Sequence, residues 1–159
     1  MNLSKHFTLE QITRSETATR LGIDNSLPDE MLETWRAGCD NLEAIRKVTG
    51  VELIINSGYR CPELNKRIPG SAKHSAHTGR LVSGVKACAF DIVCREGNGP
   101  LFNTIREMMQ GQFDVDQLIW EYGTDQAPAW VHIGFVFEAK MRKQLLRKRV
   151  GTVRYELWK

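Results

Sequence analysis

Four histidines occur in the chain, His6, His74, His77 and His132, and two of them stand in settings suited to metal chemistry. His132 lies in Trp130-Val131-His132-Ile133-Gly134-Phe135. Strand alternation there sends Val131, Ile133 and Phe135 to one face and His132 with Gly134 to the other. A histidine beside a glycine, opposite an apolar stripe, leaves room for a ligand. Asp91 has the same character: in Ala87-Cys88-Ala89-Phe90-Asp91-Ile92-Val93, Cys88, Phe90 and Ile92 share the apolar face and Asp91 points away from it. A carboxylate in so apolar a strand is costly unless it is paired or coordinated. His77, in Ser75-Ala76-His77, sits in a loop rich in glycine and serine. Two imidazoles and one carboxylate leave a fourth tetrahedral position open, the arrangement of catalytic zinc, where bound water becomes acidic and a carbonyl is polarised. Residue types and spacing alone leave a second reading open, in which each group is a hydrogen-bonded structural residue.

The elements that must position these groups follow from periodicity and punctuation. Thr8 with Gln11 three residues later has capping-box spacing and opens a short helix. Pro28, Asp29 and Glu30 suit the first turn of a longer helix carrying Met31, Leu32, Trp35, Leu42 and Ile45, which should end at Gly50. Val51 to Ile55 reads as a strand, Pro62 to Lys66 as a short helix, and 67–85 as a long loop of the kind that is usually functional. Lys86 to Val93 is a second strand and Pro100 to Met109 a second clear helix. Asp116 to Glu121 and Trp130 to Val136 form two further strands, and the basic C-terminal segment is expected to be helical. The pattern is α+β, with a small, mostly antiparallel sheet flanked by helices.

At 159 residues the chain reads as a single domain, 1–159, able to bury a core without staples. Hydrophobic residues make up 42% and charged residues 26%, which excludes disordered and fibrous classes. No apolar run is long enough for a transmembrane helix, and the opening Met1-Asn2-Leu3-Ser4-Lys5-His6-Phe7 lacks the apolar stretch of a signal peptide. Synthesis in the cytoplasm without a signal peptide is the expectation. Cys39, Cys61, Cys88 and Cys94 contain no CxxC pair and read as free thiols, Cys88 and Cys94 as small core residues. The net charge of +3 is too small to imply nucleic acid or membrane. From Val136 onward, however, eight basic residues face only Glu138 and Glu156. This basic segment, 138–159, is either a surface for an anionic polymer or a solvated helix face.

Taken together, Ser57-Gly58-Tyr59-Arg60, Asn65, Ser75-x-His77, Ala89-x-Asp91 and Trp130-Val131-His132 follow an order that resembles the zinc D-alanyl-D-alanine carboxypeptidases and L-alanyl-D-glutamate endopeptidases, which share a hedgehog-type fold. Leu3-Ser4-x-His6-Phe7-Thr8-Leu9 and Gly22-Ile23-Asp24-Asn25 are similar to the phage and bacterial branch, and the likeness spans about residues 3–149. The resemblance implies one Zn²⁺ per chain on His77, Asp91 and His132. It implies that Arg60 binds a substrate carbonyl or carboxylate, and that Ser75 and Tyr59 support or contact substrate. It further implies peptidoglycan stem peptides as partners, with no nucleic acid and no stable membrane insertion. A monomer acting on the cell wall after release, like a phage endolysin, is expected.

Two departures qualify the resemblance. The family pattern S-x-H-x-x-G-x-A-x-D is stretched, because His77 stands fourteen positions before Asp91. An insertion of about seven residues within Thr78 to Val85 costs little loop entropy, but it sets His77 against His74 as the ligand; the retained S-x-H context favours His77. Many members also carry an acid three positions before the last histidine, where this chain has Ala129. Glu121, closing the neighbouring strand, is the substitute base. The missing acid at Ala129 keeps an alternative alive: a zinc-binding but inactive module that recognises cell wall or virion components.

Overall fold

The computed structural model describes residues 1–81, 83–152 and 154–158. Its centre is a six-stranded sheet in the order β1-β2-β4-β3-β5-β6. The strands are β1 (Ile54–Ser57), β2 (Ala87–Val93), β3 (Gln117–Glu121), β4 (Trp130–Val136), β5 (Gln144–Lys148) and β6 (Glu156–Leu157). Every neighbouring pair is antiparallel except β3 with β5, which is parallel. The helices are α1 (Leu9–Thr13), α2 (Glu16–Leu21), α3 (Leu32–Thr49), α4 (Pro62–Arg67) and α5 (Asn98–Gln110). The α+β expectation is met.

The two faces of the sheet differ because the strand sequences alternate. Cys88, Phe90 and Ile92 of β2, Leu118 and Trp120 of β3, and Val131, Ile133 and Phe135 of β4 are buried against Trp35, Cys39, Leu42 and Ile45 of α3 and Leu101, Phe102 and Ile105 of α5. Trp35 meets Phe90 edge-on, with ring centroids 5.2 Å apart. Helix α3 comes this close because it presents Gly38, where an added Cβ would lie 2.4 Å from Cys88 Sγ. The opposite face carries Asp91, His132 and Glu121. It is roofed by the 3₁₀ turn Ala76–Thr78, whose Ala76 clusters with Ala87 and Ala89 of β2 and Val136 of β4.

Local chemistry accounts for most boundaries. Thr8 and Gln11 exchange both capping-box hydrogen bonds, at 3.2 and 2.7 Å. The Pro28-led segment begins as a 3₁₀ turn, Asp29–Met31, and continues as α3 until Gly50, which takes a left-handed conformation. Helix α2 was not foreseen, although Ser15 caps the Ala18 amide and Gly22 ends the helix in the left-handed region. Strand β1 starts three residues later than Val51 and carries a bulge before Ser57.

The basic C-terminal helix does not form. Residues 144–148 are strand β5, paired in register with all of β3. Residues with good helix propensity are overridden because β3 would otherwise present an open edge beside β4. Glu138 and Lys143, both at positive φ (64° and 53°), break any helix before it could start. The charges are also engaged: Arg142 pairs with buried Asp116, Lys143 with Asp114, and Arg147 and Arg149 with Asp125, while Lys148 is itself buried. All four cysteines are free thiols.

Candidate metal centre

Strands β2 and β4 bring two of the three groups together by register alone, since Asp91 lies directly opposite His132. The third comes from the 3₁₀ turn. Ser75 caps that turn, its Oγ accepting from the His77 amide at 3.3 Å, and Thr78 Oγ1 donates to the Ser75 carbonyl at 2.8 Å. The Arg60 amide donates to the His77 carbonyl at 2.9 Å, fixing the turn to the Ser57–Arg60 segment. The insertion does not displace it, because the segment folds back on itself through the Arg80–Lys86 bridge and the Leu81 amide to the Val85 carbonyl. The ends of the longer loop meet again beside β2, where the Ala87 amide donates to the Gly79 carbonyl at 3.0 Å.

The three groups form a tight triangle. His132 Nδ1 is 2.9 Å from Asp91 Oδ1, and His77 Nε2 is 3.3 Å from each of those atoms. Tetrahedral ligands at about 2.0–2.1 Å from a zinc ion stand about 3.3 Å from one another, so the donor set fits such an ion. The His77 tautomer fits too: Nδ1 lies 2.6 Å from the Gly58 carbonyl, which can only accept, so Nδ1 carries the proton and Nε2 turns its lone pair to the triangle. Burial lowers the His77 pKa to about 4 despite the nearby Asp91 charge, which keeps the imidazole neutral as a ligand must be. For Asp91, burial pushes the carboxyl upward. Its two histidine neighbours outweigh that effect and hold the group below the usual carboxylate range. Among the described residues this is the one cluster of His, Cys, Asp and Glu arranged to hold a metal ion. His74 is exposed and outside it.

Around the triangle stand the other residues singled out from the sequence. Arg60 extends Nη2 to Asp91 Oδ2 at 3.3 Å, and its buried Nε has no hydrogen-bond partner. Glu121 ends β3, 6% exposed, on the same sheet face as His132. Burial raises its pKa and Asp91 adds to the rise, while His132, the Tyr155 hydroxyl and Lys148 oppose it. The Ala129 amide donates to the Glu121 carbonyl at 2.9 Å, so a carboxylate at 121 stands next door to the position left without an acid. Tyr59 packs edge-on against Trp35 at 5.8 Å, 3% exposed, with its edge reaching the cavity. Asn65 ties the loop down, donating to the Ala72 carbonyl at 2.9 Å. His77, Asp91, His132, Arg60, Glu121, Ser75 and Tyr59 all line one cavity of about 1000 Å³, whose outer walls include Arg14, His74 and Arg142.

Tyr155 also lines it, and the sequence reading missed this residue. The available signal was the alternation Arg154-Tyr155-Glu156-Leu157-Trp158, which fits a strand better than a helix. Residues 5–134 match the family described as Peptidase M15. No curated protein and no solved structure matches the chain.

Proposed function

This chain belongs to the peptidase M15 family, and we propose that it is a zinc peptidase that hydrolyses peptide bonds in bacterial peptidoglycan stem peptides. The observation that carries the reading is the His77–Asp91–His132 triangle, with sides of 2.9, 3.3 and 3.3 Å, in the same cavity as a buried carboxylate and a guanidinium. His77 Nε2, Asp91 Oδ1 and His132 Nδ1 would hold the ion. Zinc supplies Lewis acidity there, polarising a carbonyl and lowering the pKa of water to about 7. Glu121 takes a proton from the attacking water and hands it to the leaving amine, a role suited to a carboxylate whose pKa burial raises above its ordinary value. Arg60, whose side chain lines the cavity, offers its guanidinium to the charge that develops on the carbonyl oxygen, or to a substrate carboxylate. Ser75 orients the turn that presents His77. The chain acts as an endolysin-like enzyme on the wall, either as an endopeptidase or as a D,D-carboxypeptidase.

The inactive-module alternative rested on Ala129, and buried Glu121 beside it supports the enzyme instead. Zinc-loaded protein and its Glu121→Gln variant should be compared on purified cell walls and on two soluble stem peptides, with products separated by mass. Release of terminal D-alanine marks the carboxypeptidase, and an internal cut after L-alanine marks the endopeptidase. Glu121→Gln should keep zinc and lose about 10²–10⁴-fold in rate. A parent protein that binds zinc and walls yet cleaves neither would return the alternative.

A further inference from the structure

The family match ends at residue 134, and strands β5 and β6 lie beyond it. We infer that this C-terminal strand pair completes the site, with Tyr155 as a positioning residue that holds the Glu121 carboxylate. The inference rests on Glu121 being the base. Trp158 anchors the segment: its amide donates to the Leu145 carbonyl at 3.0 Å, and its ring lies 4.7 Å from Trp120 and 4.8 Å from Phe102. Three residues before this anchor, the Tyr155 hydroxyl stands 3.4 Å from Glu121 Oε1. The Lys148 ammonium stands 4.9 Å from the Tyr155 ring, a cation–π contact that fixes the ring from beneath. A terminal carboxylate torsion is broad, yet proton transfer needs an oxygen within about 2.6–3.2 Å of the water. Engaging Oε1 with a phenol restricts that torsion, and catalytic hydrogen bonds that are long without substrate tighten in the complex. Burial, with Glu121 next, raises the phenol pKa well above its ordinary value, so the hydroxyl stays protonated and able to donate.

The test uses the full zinc-loaded chain, with kcat and KM measured on a soluble stem peptide for the parent, Tyr155→Phe, Glu121→Gln and the double variant. Phenylalanine keeps the ring over Lys148 and removes only the hydroxyl. Tyr155→Phe should lower kcat about tenfold, with KM, zinc content and melting temperature at parental values. Added to Glu121→Gln it should change nothing further, because the group it positions is gone. A parental kcat in Tyr155→Phe, with Glu121→Gln inactive, overturns this inference alone. A raised KM at unchanged kcat would make Tyr155 a substrate contact, and a tenfold loss persisting in the double variant would place its action elsewhere; either result overturns it. If Glu121→Gln hydrolyses like the parent, the base reading fails and this inference with it.

Discussion

Replacing Gly58 by alanine tests whether backbone geometry outside the ligand triangle sets metal affinity. The Gly58 carbonyl accepts from His77 Nδ1 at 2.6 Å and so fixes both the tautomer and the tilt of that ring. A Cβ at position 58 would lie 2.6 Å from the Ile12 carbonyl oxygen and 3.0 Å from Ile12 Cα. Ordinary contact begins near 3.4 Å, so the two backbones must part by about 0.8 Å. Neither can yield cheaply: the Tyr59 amide donates to that same Ile12 oxygen at 2.8 Å. The shift therefore passes to the Gly58 carbonyl, and losing the partner of a ligating histidine typically costs about 10–100-fold in metal affinity. The accompanying overpacking costs about 1–3 kcal/mol, or roughly 2–12 °C in melting temperature at this chain length. Competition with a fluorescent zinc chelator measures the affinity, and thermal denaturation of the chelated protein measures the packing term separately. Gly38→Ala is the control, since its Cβ would strike Cys88 Sγ and the Phe90 ring on the other face of the sheet; it should destabilise to a similar degree while zinc affinity stays parental. Gly58→Ala with parental zinc affinity would refute the claim that the Gly58 carbonyl holds the ligand.

Three further outcomes follow from the same geometry. Alanine at His77 or His132 should abolish zinc retention, whereas His74→Ala should keep it, as metal analysis after gel filtration will show; the reverse pattern would move the ligand across the insertion. In the metal-free protein, His77 has a folded pKa near 4 against an ordinary value of 6.5. The unfolded chain therefore binds more protons between those values, and stability should fall as pH drops from about 6.5 to 4, by up to about 3 kcal/mol; urea titrations across that window that differ little from those of His77→Gln would contradict it. Arg147 lies 5.5 Å from the centroids of both Trp120 and Trp158 and pairs with Asp125, so Arg147→Ala should cost about 0.5–2 kcal/mol, and wall binding should depend only weakly on salt. A steep salt dependence lost in that variant would restore the basic segment as a polymer-binding surface.

The residues of the site were legible because chemistry constrains type and strand period constrains face. In Ala-Phe-Asp-Ile-Val and in Trp-Val-His-Ile-Gly, strand alternation puts the aspartate and the histidine each on the face opposite its own strand's apolar stripe. The helix caps at Thr8 and Gly50 were legible for a similar reason, being local hydrogen-bond and dihedral requirements. Tertiary structure decided what depends on which segments meet. Register placed Asp91 opposite His132, and the folded-back insertion returned His77 to them across fourteen positions. The open edge of β3 recruited residues 144–148, turning an expected helix into a strand. Propensity is worth tenths of a kcal/mol per residue, whereas a free strand edge beside a buried sheet leaves a row of backbone donors and acceptors unpaired. That imbalance is why the C-terminal segment, and Tyr155 with it, came to the site by a route the sequence alone did not disclose.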